Sequence, residues 1–263
     1  ETTGEHVMKM AFDNYKLVPG SLFYNITTVT EAILPEGVQE LGAWSFLGTS
    51  NLKAVSLPST LKAISYQVFE RSGITSCVIP DGCRMSYGVF DDCTSLTYVK
   101  LPSQMESIPS STFQGCTSLK SFEMPTGVKA IGYSAFQSSG LEVIHFPDAV
   151  TILERGICKN CKNLKEVRFP ASLKKIESQA FSFTDNIERF ILADGTICTD
   201  EIIIPEGVTD MEDNVFYFRN PYFKSMRIPS TLTSIADGGL CCPNLERYVM
   251  TGSNPKYDIR NNS

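Results

Sequence analysis

Two histidines and nine cysteines are the side chains of this 263-residue chain best suited to acid–base, nucleophilic or metal chemistry, and their spacing decides whether they can perform it. His6 and His145 lie far apart in sequence. An isolated histidine reads as a surface residue, because a catalytic base needs a partner within hydrogen-bond reach. Cys158 and Cys161 have the Cys-x-x-Cys spacing of a redox or zinc pair. A zinc site needs about four ligands, and Cys241-Cys242 does not supply a second pair at suitable spacing. Glycine-rich phosphate loops and Gly-x-Ser-x-Gly elbows are absent from the sequence. The expectation is a non-catalytic chain that uses no cofactor and no metal.

The elements that position these residues belong to a tandem repeat. Leu57-Pro58 returns as Ile79-Pro80, Leu101-Pro102, Met124-Pro125, Phe146-Pro147 and Phe169-Pro170, at intervals of 22 or 23 residues. Leu34-Pro35 begins the series, and Ile204-Pro205 and Ile228-Pro229 resume it after an interval of 35 residues, with Ala193 where a proline is due. A period of 20 to 50 residues is the signature of a solenoid. Units that contact only their neighbours share one continuous core, so the whole chain, residues 1–263, reads as a single elongated domain.

Within a unit, alternation assigns faces. Phe122 and Met124 are two apart and face one side of a short strand, while Ser121 and Glu123 face the other. Stacking of units turns Val55, Cys77, Val99, Phe122, Ile144 and Val167 into an internal ladder. Proline lacks an amide donor and ends each strand. Further on, Phe46, Phe69, Phe90, Phe113, Phe136, Phe181 and Phe216 form a spine that Cys158 and Leu240 interrupt. The pairs Ala135-Phe136 and Thr112-Phe113 predict a short helical or 3₁₀ segment on the convex side. Cys93, Cys116 and Cys161 share one repeat position with Thr49, Ser72, Ser139 and Thr184, which marks it as small and inward rather than as a disulfide site.

The stretches Leu52-x-x-Val55-x-Leu57, Leu96-x-x-Val99-x-Leu101 and Leu164-x-x-Val167-x-Phe169 resemble the Leu-x-x-Leu-x-Leu hallmark of leucine-rich repeats. With the following proline and the downstream Ala-Phe element, the chain is similar to the BspA-like subfamily of bacterial and protist surface proteins. The resemblance covers roughly residues 11–250. It implies an α/β leucine-rich-repeat solenoid with a parallel concave β-sheet, and an extracellular or cell-surface recognition role.

The domain divides into a cap and partial repeat at 1–28, regular repeats at 29–192, an insertion at 193–204, further repeats at 205–251 and a tail at 252–263. Met8, Ala11, Phe12 and Tyr15 fall at helical spacing, with Thr2 and Glu5 placed like a capping box. In the insertion, Asp194-Gly195 favours a tight hairpin between Phe190-Ile191-Leu192 and Ile202-Ile203-Ile204. A matching interval of 34 residues separates Phe12 from Phe46, so an echo of the insertion is expected before Pro35. The chain begins with Glu1, so its natural start is expected upstream, and the tail around Asn254-Pro255 reads as the opening of a further unit.

A net charge of −6 argues against a nucleic-acid or anionic-membrane surface. No apolar run reaches the roughly 18 residues that would span a bilayer. A partner is therefore sought on the concave strands, whose outward side chains have no folding duty. There Tyr98, Lys100, Glu123, His145, Arg168 and Arg189 combine an aromatic with arginines, types enriched at binding hot spots. The expected partner is a protein or glycan bound by a monomer. The alternative is a spacer segment of a larger surface protein with no ligand of its own. Trp44, the single tryptophan, falls on the convex segment.

Overall fold

The computed structural model describes residues 16–236, 238–240, 242–252 and 258–259. The proposed cap, with Thr2, Glu5, Met8, Ala11, Phe12 and Tyr15, lies outside the described residues, as do His6 and Asn254-Pro255. Two rows of very short parallel strands run through the solenoid. The longer strands form the concave row, at Glu31–Ile33, Ala54–Ser56, Ser76–Val78, Tyr98–Lys100, Val143–His145, Glu166–Arg168, Arg189–Ile191, Glu201–Ile203, Ser225–Ile228 and Arg247–Met250. Two-residue strands form the second row, from Leu17–Val18 and Glu40–Leu41 through Lys175–Ile176, Asp210–Met211 and Ser234–Ile235. Register follows the repeat: Val143, Ile144 and His145 pair with Glu166, Val167 and Arg168, which pair in turn with Arg189, Phe190 and Ile191.

The proline has a defined place between the two rows. The residue before it makes the last concave donation, as in Ile79 N–H to Lys100 O at 2.9 Å and Phe146 N–H to Arg168 O at 3.1 Å. The proline carbonyl then accepts from the residue three further on, closing a turn, as in Leu61 N–H to Pro58 O at 3.1 Å and Val150 N–H to Pro147 O at 3.0 Å. Just past it, an acidic side chain holds the next unit. Glu36 accepts from Ser59 N–H and Oγ, Asp81 from those of Ser103, and Glu206 from those of Ser230, at 2.8 to 3.1 Å.

The convex side overturns one expectation. Among the described residues there is no helix of any kind, so the α/β class and the helical or 3₁₀ convex segments are wrong, and the architecture is an all-β parallel solenoid. The reason lies in the backbone. Residues two before and two after most spine positions adopt left-handed φ: Gln67 and Arg71 around Phe69, Ser111 and Gly115 around Phe113, Ser134 and Ser138 around Phe136, and Gln179 and Phe183 around Phe181, while at Phe216 only the preceding Asn214 does. Alternating handedness points every second N–H along the solenoid axis rather than back along the chain. Ser111, Phe113 and Gly115 thus donate to Tyr133, Ala135 and Gln137 carbonyls of the next unit at 2.8 to 3.0 Å. A left-handed residue costs roughly 1–2 kcal/mol. These inter-unit bonds satisfy buried backbone groups that a helix would have satisfied internally.

The phenylalanine spine stacks between these turns. Ring centroids are 5.5 to 5.7 Å apart from Phe46 through Phe69, Phe90, Phe113 and Phe136, and 5.7 Å for Phe181 on Phe216. It starts one unit earlier than expected, because Phe23 stacks on Phe46 at 4.9 Å. Leu17 and Val18 likewise pair with Glu40 and Leu41 at the regular interval. The echo of the insertion is therefore not found between Leu17 and Phe46. At Cys158, where the spine loses a ring, the strand ends supply Phe146 and Phe169, both fully buried. Volume is shifted across the core and its close packing is kept.

Two glycines account for two of the three 22-residue intervals. Gly73 and Gly140 shorten the exit from the convex turn by one residue, and a Cβ there would lie 2.0 Å from Ser50 O or 2.1 Å from Thr117 O. The longer interval is explained at the other side of the molecule. Lys175 and Ile176 pair directly with Asp210 and Met211, and Phe181 N–H donates to Val215 O, so the second row and the convex turns pass the insertion without a break. All twelve extra residues are absorbed on the concave side. A hairpin forms there around Asp194-Gly195, with Gly195 at φ +88°. It pairs Phe190 and Ile191 with Cys198 and Ile197, not with Ile202–Ile204, which open the next parallel sheet.

Candidate functional site

The concave strands project the residues singled out above, but into two unlike halves. Tyr98 and Lys100 flank inward Val99 on one strand, and Tyr98 is 52% exposed. Their strand pairs with Ser76–Val78, which sets the exposed Val78 beside Lys100. Glu123 is exposed on a segment that does not join the ladder. Phe122, at a position that Val, Ile or Cys fills in the neighbouring units, is only half-buried there and tilts against Phe113 at 5.0 Å and Phe136 at 5.3 Å. Among the described residues, Tyr98, Lys100 and Glu123 make no side-chain hydrogen bond or ion pair.

The other half is tied together. Glu166 is 8% exposed and accepts from His145 Nε2 at 2.5 Å and from Arg189 Nε at 2.5 Å. Burial alone would raise its carboxyl, yet the bonds from His145 and Arg189 outweigh it and hold the group below the ordinary carboxylate range. Arg168 reaches sideways to Asp148 Oδ1 at 2.9 Å and to Phe146 O at 3.3 Å. That bond holds Asp148 below its usual range as well. Beyond the hairpin, Arg227 pairs with Glu201 at 2.6 Å. Glu166 was not among the residues singled out from the sequence, although alternation puts it on the outward row. It stands 21 residues after His145 and 23 before Arg189, which puts the three on adjacent strands without showing that their side chains meet.

The hairpin adds a recess. A cavity of ≈ 380 Å³ is lined by Pro170, Leu192, Ala193, Ile203, Pro205 and Arg227 among others, at the place where the proline series lapses. Trp44 is on the convex side as expected, with left-handed φ of 58°, its Nε1 donating to Gln67 Oε1 at 3.0 Å and its ring edge-on to Tyr66 at 4.9 Å.

The thiols do structural work. Cys93, Cys116 and Cys161 are fully buried and donate to the carbonyls of Phe69, Phe90 and Phe136 at 2.8, 3.1 and 2.9 Å. Thr49 Oγ1 makes the related bond to Phe46 O within its own unit at 2.7 Å. Burial pushes the Cys93 thiol up to about 12 and raises Cys116 and Cys158. Such groups stay protonated and unreactive at neutral pH. Among the described residues all cysteines are free, and no three His, Cys, Asp or Glu side chains converge as a metal site would require. No helix of the described residues is long and apolar enough to cross a membrane.

Two solved structures share this architecture. A leucine rich cell surface protein from Faecalibacterium prausnitzii superposes with a TM-score of 0.60 at 22% identity, over 90% of this chain and 64% of its own, so this chain spans less than two thirds of that protein. A leucine-rich repeat protein from Eubacterium ventriosum gives a TM-score of 0.54 at 16% identity, over 94% and 82% of the two chains. At these identities the likeness is one of fold. None of the curated proteins matches the chain. A family model matches residues 16–87, 83–197 and 194–260 in six copies, and by that near-complete coverage the chain belongs to the family of BspA type leucine rich repeat regions.

Proposed function

We propose that this chain is a non-catalytic recognition scaffold of the cell surface or the secreted space, and that it binds a protein or glycan through its concave sheet. The carrying observation is the open half of that sheet. Tyr98 and Val78 are exposed there next to Lys100, and none of these side chains is spent on the fold. Tyrosine is among the residue types enriched at binding hot spots, and Lys100 beside Tyr98 forms no ion pair among the described residues. Support for the location comes from the Faecalibacterium prausnitzii neighbour, which is described as a cell surface protein. His145, Arg168 and Arg189 form the rim of this site, because their side chains already bond to Glu166 and Asp148.

The test is an array of extracellular proteins and glycans probed with the full chain, repeated with Tyr98→Ala and Lys100→Glu. Each variant is expected to weaken a concave ligand by roughly 30-fold or more, the scale of a hot-spot residue. Full binding by both variants, with unchanged melting, would remove the concave face as the site.

A further inference from the structure

The geometry points to a second binding site, on the convex side, for a sugar that carries a carboxylate. A cavity of ≈ 340 Å³ opens there, lined by Ser134, Gln137, Arg155, Gly156, Lys159, Ser178, Gln179 and Asp213. That is the lower end of the size range of ordinary small-ligand sites. It lies over Cys158, the unit in which the spine loses its ring. Its floor is Gly156, a buried glycine at φ +63°, where the units on either side carry Ser134 and Gln179.

The lining is polar and its charges are unspent. The Arg155 guanidinium makes no hydrogen bond or ion pair among the described residues, and Lys159 Nζ is held only by the neutral Gln179 Oε1 at 2.6 Å. Gln137 and Ser134 bond each other at 3.1 Å, which leaves the Gln137 amide N–H groups available. The one carboxylate, Asp213, accepts from Asn214 at 2.9 Å and has a second oxygen to offer.

This mixture selects the ligand class. Two cations and amide donors suit a carboxylate, whereas Asp213 and the Gln and Ser oxygens suit hydroxyl donors. A compact inorganic anion would be repelled by Asp213 and would leave those acceptors unused. A pyranose with a carboxylate uses both sets. Tyr133 stands beside the cavity without lining it. It is 51% exposed, and the Ser134 N–H to Arg155 O bond of 2.9 Å places it one unit from Arg155.

The site is independent of the concave reading, and the experiment keeps them apart. Binding of glucuronate oligomers, of a sialylated glycan, of the matching neutral sugars and of inorganic phosphate is measured by calorimetry on the full chain. At least one acidic sugar should bind, tenfold or more tighter than its neutral counterpart and than phosphate, and which of the two binds identifies the source. Arg155→Gln and Lys159→Gln should each weaken it at least tenfold with unchanged circular dichroism, while Tyr98→Ala leaves it intact. Equal binding of acidic and neutral sugars, tighter binding of phosphate, or no binding of either acidic sugar overturns the proposal. These comparisons are made on the unaltered chain and do not depend on how any variant folds.

Discussion

The convex and concave sides are built from the same repeat, yet one is uniform and the other varies from unit to unit. On the convex side the regular units spend their backbone donors on the next unit, and all but the Cys158 and Leu240 units place a phenylalanine in the spine. A change there propagates to two neighbours. On the concave side the inward residue of each strand is fixed as apolar, while the outward positions hold Tyr98, His145 or Arg168 without disturbing the ladder. Even a twelve-residue insertion is absorbed on that side, whereas the spine crosses it with Phe181 on Phe216 at an ordinary 5.7 Å. Structural uniformity and freedom to recognise are thus separated onto opposite faces.

The largest test of that separation is Phe113→Ala against Tyr98→Ala. Phe113 is fully buried between Phe90 and Phe136, so its truncation should cost about 3–5 kcal/mol in denaturant unfolding. Tyr98→Ala should stay within about 0.5 kcal/mol, as surface substitutions do. A smaller cost is expected at the convex exit. In Gly140→Ala the new Cβ would sit 2.1 Å from the Thr117 carbonyl oxygen, a backbone atom that cannot rotate away. Destabilisation of about 1–3 kcal/mol should appear in the same assay, and a neutral result would mean that the convex turns yield more readily than their hydrogen bonds imply.

Deleting residues 192–203 probes the tolerant side. Ile191 would then run into Ile204-Pro205, restoring a 23-residue interval from Pro170 and the order strand, apolar residue, proline of every regular unit. Since the second row already pairs Ile176 with Met211 across the insertion, the shortened chain should fold with a single cooperative transition. Loss of that transition on heating would show that the hairpin is needed to splice two sheets. The deletion also removes most of the recess around Ala193.

The proline interval, the inward ladder and the phenylalanine spine were legible because each is a residue type recurring at fixed spacing. The convex backbone was not. Its left-handed positions are filled by Gln67, Ser111, Ser134, Asn160 and Phe183 as well as by Gly88 and Gly115, so no single residue type marks them. An Ala-Phe pair next to small polar residues reads as a helical turn unless bonding between units is considered. The concave candidates were placed on the correct face by alternation alone. That His145 and Arg189 are joined through Glu166 depends on side-chain reach across a strand, which spacing does not encode.

The smallest effect should be a difference in pH dependence between the two sides. Glu166 and Asp148, on the concave side and its edge, and the turn carboxylates Glu36, Asp81 and Glu206 are held below their ordinary range, chiefly through hydrogen bonds from neighbouring units. Their contribution is complete above the unfolded carboxylate pKa and is lost as pH falls through the lower folded values. Asp91 on the convex side behaves oppositely. Burial, with Asp92 and Glu70 nearby, raises it to about 7, and its Oδ1 is enclosed without a partner. Between about pH 4 and 7 the folded chain therefore holds a proton at Asp91 that the unfolded chain has released, so stability declines as pH rises through that window. Asp91→Asn should flatten this decline and leave the loss below pH 4 unchanged, whereas Glu166→Gln should reduce only the acid limb. Melting temperatures across pH 3 to 8 separate the two, and an unaltered neutral limb in Asp91→Asn would move the source of that decline away from Asp91 to the other raised carboxyls, Glu70 and Glu154.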